Sequence, residues 1–276
     1  MRLRKTLLGL RGRLDRRSTG DRAIFPFGSK MKQTEPKRLY QLVADKIRDL
    51  IHRGDFPPGS RLPAERELSQ QLGVSRPSLR EALIALEIGG SVETRMGSGV
   101  YVRDTANETE GSLAVLGESP TEIMQARAVI EGGLVVLAST RLTAVALDRL
   151  RRSVEAMHRL ASAGKSPLEP DRQFHLIIAE AAGNTMLSRY VADLFDARRD
   201  PIGARISELA ENTATWMAAV EEHEKVLHAL QAGDPLAAEA AMRSHLKASE
   251  ERWVGSDIKK VAPNDADGKA GRVRLG

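Results

Sequence analysis

From Thr121 to Trp253 the apolar residues recur at helical spacing. The pattern breaks only at Gly164 to Pro170, Gly183-Asn184, Asp200-Pro201 and Gly233-Asp234-Pro235. No run in this stretch alternates with the period of two that a half-buried strand requires. Short helices with one apolar stripe each must bury those stripes against one another, and the solution is a helical bundle. The breaks predict about six helices, with no internal repeat. Polar segments bracket the bundle, which spans 118–255. The stretch "DTANETEGS" within 104–117 reads as a linker, and residues 256–276 read as a disordered tail.

Residues 38–103 obey a different rule. "RLYQLVADKIRDLIHRG" places Leu39, Leu42, Val43, Ile47, Leu50 and Ile51 at helical spacing, and Gly54 with Pro57-Pro58-Gly59 ends that helix. "LPAERELSQQLGV" reads as a second short helix stopped by Gly73. Ser75 can cap a third, "RPSLREALIALEIGG", which tolerates Pro77 in its first turn. Then Val92 and Thr94, and Val100 and Val102, alternate around Gly97-Ser98-Gly99, which predicts a small hairpin. Two short helices across a tight turn, followed by a hairpin, make a winged helix-turn-helix. The fold class is therefore mostly α: an N-terminal winged helix-turn-helix and a C-terminal all-α bundle.

That arrangement reads DNA in a defined way. The third helix buries Leu79, Ala82, Leu83 and Leu86. Arg76 and Arg80 stand four apart on another face near its start, where helix-turn-helix proteins reach base edges. An arginine there can bond guanine O6 and N7 together. Ser75 and Ser78 can hold phosphate oxygens. The glycines of "MGSGV" let Gly97, Ser98 and Gly99 approach the backbone of a duplex. The competing reading makes the two arginines ordinary surface charges paired with glutamates such as Glu87.

The chain has 276 residues, long for one domain and comfortable for two. Its net charge of +5 is uneven: residues 1–37 carry 11 Lys/Arg against 3 Asp/Glu, while residues 104–276 carry 21 against 26. The basic balance therefore belongs to the N-terminal extension, which reads as disordered, with Met31 opening a more ordinary sequence. The apolar stretch Leu7-Leu8-Gly9-Leu10 is too short for a secretory signal. No apolar run reaches the length of a membrane span, so no membrane partner is expected. With no cysteine, disulfides, thiolate catalysis and Cys-type zinc sites are excluded.

"GDFPPGSRLPAERELSQQLGVSRPSLREALIALEIGGSVETRMGSGVYV" resembles the DNA-binding domain of the GntR family of bacterial transcription regulators. The resemblance implies that Arg66, Arg76 and Arg80 contact DNA, with Gly97 to Gly99 in the minor groove. One departure is "EIGGSVETRM", where Ser91 is more polar than the family's usual residue and puts the packing of that turn in question.

The bundle holds a second constellation. In "EPDRQFHLIIAEAAGN", Asp171 and His175 stand four apart, on one helix face. His223 and His245 lie on later helices, 22 residues apart. Three imidazoles and a carboxylate suit a divalent transition metal such as Zn, Ni or Mn, provided the helices converge. Glu221, Glu222 and Glu224 flank His223 and read as a solvated face. The region is similar to the FCD effector domain of the FadR subfamily, also through "MQARAVIEGGLVVLAS" and "AAGNTML". That similarity implies Asp171, His175, His223 and His245 as metal ligands and Arg127 and Asn184 as effector-pocket residues. Arg127 has a second reading, an ion pair with Glu131 one turn on.

Together these expectations describe a homodimeric regulator of double-stranded operator DNA, a repressor rather than an enzyme, in the bacterial cytoplasm at the nucleoid. It would be governed by a small organic acid at the metal. An aromatic content of 4% argues against an aromatic-lined pocket and for a hydroxy acid, dicarboxylate or sugar acid. The alternatives are a metal-dependent hydrolase, which leaves the winged helix unexplained, and a purely structural metal site.

Overall fold

The computed structural model describes residues 37–95, 97–104 and 116–254. The expectations of a disordered extension and tail, and most of the linker, fall outside the described residues.

The reader begins with α1 (Leu39–His52), followed by α2 (Glu65–Leu72) and α3 (Arg76–Ile88). Gly73 ends α2 in the left-handed conformation, with φ at 68°, which only a residue lacking Cβ adopts at no steric cost. Two residues later Ser75 caps α3, its Oγ accepting the Ser78 backbone N–H, so the chain turns sharply between the two helices. Leu79 and Leu86 are fully buried with Leu68, Ile47 and Tyr40. Each such leucine contributes roughly 1.5–3 kcal/mol over its exposed state.

The wing is an antiparallel pair, β1 (Val92–Arg95) and β2 (Gly99–Val102), with Val92 opposite Val102 and Thr94 opposite Val100. Val92 and Val102 point into the core. The turn at Ser91 needs no apolar side chain. Its backbone N–H donates to Leu86 O and its carbonyl accepts from Arg103 N, so main-chain bonds hold it.

The bundle comprises α4 (Pro120–Ser139), α5 (Ala144–Ser162), α6 (Leu168–Ala181), α7 (Thr185–Asp196), α8 (Pro201–Ala210), α9 (Thr213–Gln231) and α10 (Pro235–Trp253). A 3-10 turn at Ala197–Arg199 joins α7 to α8. That is seven α-helices among the described residues, against about six expected. The unforeseen breaks lie between α4 and α5 and between α8 and α9, where no Gly or Pro marks the stop. Thr143 and Asn212 make those turns as N-caps, accepting Ala146 N–H and the Ala214 and Thr215 N–H groups. Helix α10 packs along α4 and α9, and α5 along α6 and α9.

The recognition helix is built into the bundle. Glu81 of α3 accepts Ser119 Oγ at 2.9 Å, Thr121 N at 2.9 Å and Thr121 Oγ1 at 2.6 Å, at the N-terminus of α4. That end carries unsatisfied N–H groups and a partial positive charge, which suits a carboxylate. Burial still pushes the Glu81 carboxyl above its usual range, against those bonds. Glu87 reaches Arg205 of α8 at 3.4 Å, and Tyr40 donates to Gly117 O at 2.9 Å.

Candidate metal centre and DNA-reading surface

Three helices bring the sequence-predicted ligands together. Asp171 and His175 come from α6, His223 from α9 and His245 from α10, and one donor atom from each lies within 4.8 Å of the others. His175, His223 and His245 are buried, with exposures of 1%, 0% and 4%. His175 Nε2 is 3.2 Å from His223 Nε2 and 3.3 Å from His245 Nε2. Asp171 Oδ1 is 2.9 Å from His223 Nε2 and 3.5 Å from His175 Nε2.

The other ring nitrogens fix what faces inward. His223 Nδ1 donates to Ala219 O at 2.7 Å, and His245 Nδ1 donates to Glu222 Oε2 at 3.0 Å. His175 Nδ1 lies against Glu131 Oε2. With the proton on Nδ1, as the Ala219 and Glu222 acceptors require of neutral His223 and His245, each of those two rings presents a bare Nε2 lone pair. Asp171 Oδ1 is likewise buried without a hydrogen-bond donor. Three Nε2 atoms and a carboxylate oxygen therefore converge, and with the rings neutral no proton lies among them. Such a set repels itself unless a cation sits between, and its donor types suit a divalent transition metal.

The charges around the cluster are set by its neighbours. Burial would raise Asp171, but the His175 and His223 rings beside it hold the carboxyl well below the usual range. Burial and the neighbouring His223 push His245 down to about 3, so that ring is neutral. For His175 burial acts downward too, yet the Glu131 carboxylate outweighs it and the ring is raised. Glu131 is itself held down to about 2: burial opposes this, and the Arg127 and His175 charges overcome it.

Two outer residues were missed in the sequence. Glu222, read as solvated, is half-buried and takes Arg252 through both oxygens as well as His245. Arg198, on the 3-10 turn, is 8% exposed and lies 3.8 Å from Asp171 and 3.0 Å from Glu211. It lines a cleft, partly open to solvent, that reaches Asp171 and His245. Trp216 and Trp253, the only two tryptophans of the chain, line it as well. Burial lowers the Arg198 guanidinium, against the pull of Asp171 and Glu211.

Arg127 and Asn184 stand elsewhere. Arg127 is 1% exposed, its Nε donates to Glu131 Oε1 at 2.6 Å, and its guanidinium lies over the Phe195 ring at 4.1 Å. The ion-pair reading of Arg127 is what its contacts show. Asn184 caps α7, its side-chain oxygen accepting Met186 N and Leu187 N. Neither lines the cleft.

On the reader, Arg66, Arg76, Gly97 and Gly99 line a groove between α3 and the wing. Arg61 and Arg95, not singled out in the sequence, join them. Gly99 has φ at 125°, and a Cβ there would meet Arg61 Nε at 2.8 Å, so only glycine lets Arg61 lie across the wing. Ser98 pairs its hydroxyl with Tyr101 at 2.6 Å, while Ser75 and Ser78 pair theirs at 2.8 Å. Arg80 does not reach the groove. It is 4% exposed, bonded to Val254 O at 2.6 Å and to Glu65 Oε2 at 2.9 Å. Its glutamate partner is thus on α2, not the Glu87 considered from the sequence.

A winged helix-turn-helix with a four-arginine groove, fused to a helical bundle around a buried His/Asp cluster, defines a DNA-binding regulator with its own sensing domain. Residues 39–102 match the bacterial regulatory proteins of the gntR family, and residues 122–248 match the FCD domain. The chain is 35% identical over 228 residues to the Uxu operon transcriptional regulator of Escherichia coli K12, covering 80% of this chain and 89% of that protein. It is 32% identical to the Exu regulon transcriptional regulator of the same strain, over 79% and 85% of the two chains. It is 28% identical to the transcriptional regulator LutR of Bacillus subtilis, over 75% and 97%. Among solved structures, Streptococcus agalactiae GntR matches with a TM-score of 0.42 and 24% identity, covering 77% of this chain and 99% of that one. The chain belongs to the GntR family of bacterial regulatory proteins and carries an FCD effector-binding domain; it is a transcription regulator, not an enzyme. No helix among the described residues is long and apolar enough to cross a membrane.

Proposed function

We propose that this regulator is a repressor whose operator affinity is controlled by a small carboxylate or sugar acid, bound beside a divalent Zn, Ni or Mn ion in the bundle. Asp171, His175, His223 and His245 hold the ion. The observation that carries this reading is the convergence of Asp171, His175, His223 and His245, one donor atom from each within 4.8 Å of the others, with Nδ1 of His223 and His245 turned to outer acceptors. When bound, the ion supplies a Lewis-acidic centre for an effector oxygen. Glu131, Ala219 O and Glu222 keep the three rings oriented and their Nδ1 protons in place. Arg198 stands at the cleft wall, where a guanidinium can take an effector carboxylate. Arg127 and Asn184, first considered for that task, instead steady Glu131 and cap α7.

For DNA, Arg76 and Arg66 reach base edges and phosphates of the operator, with Ser75, Ser78 and the wing tip Gly97, Ser98 and Gly99 on the backbone. Arg80 joins them when its present contacts open. A homodimer, acting in the cytoplasm at the nucleoid, would set two such readers on a pseudo-palindromic site. The exposed Val129 and Leu137 of α4, with Gly133 open between them, form an apolar stripe at four-residue spacing that suits a second copy.

Two measurements test the sensor. In thermal-shift assays with Zn2+, Ni2+ or Mn2+, organic acids raise the melting temperature of the metal-loaded chain and not of the chelated chain. Equal shifts with and without chelator would sink metal-mediated sensing. Glu131→Gln leaves all four ligands in place but weakens the hold on His175, and lowers metal affinity about 10- to 100-fold in a competition titration with a chromogenic chelator. Wild-type affinity in that variant would remove Glu131 from the role.

A further inference from the structure

The recognition helix presents Arg76 to the groove but withholds Arg80, one turn further on. Among the described residues, two acceptors on distant elements hold the Arg80 guanidinium. One is Glu65 at the start of α2. The other is the carbonyl of Val254, 174 residues away, at the end of α10. Helix C-termini leave carbonyls unsatisfied and carry partial negative charge, so a guanidinium there is well matched. The same last turn is tied to the buried cluster from the other side. Arg252 grips both oxygens of Glu222, and Glu222 accepts the Nδ1 proton of His245. A single turn of α10 thus touches the recognition helix on one flank and the support of the His245 ring on the other.

We propose that the contact of Arg80 with Glu65 and Val254 is a latch: it keeps a DNA-contacting arginine away from the duplex, and its release raises affinity for DNA. The structure shows the latched form. Any rearrangement that turns the His245 ring pulls on Glu222 and Arg252 and so displaces the Val254 carbonyl that Arg80 holds. The signal path is short and polar, and it does not require the reader to swing as a whole on a flexible tether. The proposal rests on the reading of Arg80 as a DNA contact, and goes beyond it by giving that residue two alternative partners.

The test uses the full chain and a duplex that the full chain selects from a random-sequence pool. Affinity is read by fluorescence anisotropy for Glu65→Gln, made with and without Arg80→Ala. With Arg80 present, the substitution tightens binding about 3- to 10-fold; with R80A, it changes nothing, because the released group is gone. Glu67→Gln, which removes a charge from the same helix without touching the latch, controls for the electrostatic gain and is expected to tighten binding less than Glu65→Gln. Melting curves confirm that each variant is folded. Equal effects in the two backgrounds overturn the latch, as does a Glu67→Gln gain equal to that of Glu65→Gln. A chain that selects no duplex at all overturns the DNA reading itself, a different result from a chain that selects one and shows no background dependence.

Discussion

His223→Ala abolishes the metal response of the melting temperature. His223 sits at the centre of the cluster: its Nε2 is 2.9 Å from Asp171 and 3.2 Å from His175, and it has no exposure to solvent. Losing an outer hydrogen-bond partner of a metal ligand costs about 10- to 100-fold in affinity, so losing the ligand itself costs more than about 100-fold. A ligand that binds only the folded chain stabilises it by about 2.7 kcal/mol at one hundred times its Kd. For a protein of this size that raises Tm by roughly 5–11 °C. The wild-type chain shows that rise with added Zn2+, Ni2+ or Mn2+ and loses it with chelator. The variant melts at one temperature with or without metal, and its helical circular dichroism is unchanged. A wild-type chain indifferent to both metal and chelator would mean the cluster holds no ion. A variant that keeps the rise would take His223 out of the ligand set.

Arg76→Ala weakens binding to a selected duplex by about 5- to 150-fold, the roughly 1–3 kcal/mol that a bidentate arginine–guanine contact carries. Arg76 opens α3, is exposed, and lines the groove with Arg61, Arg66 and Arg95. Arg66→Ala gives the contrast. A phosphate contact weakens all sequences alike and lowers the slope of log affinity against log salt by about one. A base contact instead relaxes discrimination at one position of the site. Titrating a mutated-duplex series at two salt concentrations separates the two. An Arg76→Ala chain with wild-type affinity and wild-type selectivity would remove this residue from readout.

Much of this fold was legible because its signals are local. Gly73, Ser75 and Pro77 act on their own backbone, so the turn and the start of α3 could be read without a neighbour in view. The hairpin register followed from alternation about Gly97 to Gly99. The two missed breaks, before α5 and before α9, are made by Thr143 and Asn212, ordinary polar residues whose capping depends on where the helix axis turns. The ligand set was legible as chemistry, through the four-residue spacing of Asp171 and His175, but not as geometry. Its supports were not legible at all. Glu222 looked like one of three acids on a charged face; it becomes a partner of His245 because α9 and α10 pack along one another. Arg198 sits on a 3-10 turn with no periodic pattern. The two tryptophans are too few to register in the composition, yet both line the same cleft.

The sequence by itself determined the elements and their chemistry: a winged reader, a bundle, and four residues able to bind a metal. Short-range backbone preferences and the period of apolar residues suffice for that. Only the tertiary structure decided which polar groups meet, because His175 and His245 are 70 residues apart and Arg80 and Val254 are 174 apart. Those meetings depend on helix packing angles and on which charges can be buried in pairs, and no periodicity along the chain encodes them. That is why Arg80, which the sequence presents as a DNA contact, stands in this fold against the end of α10.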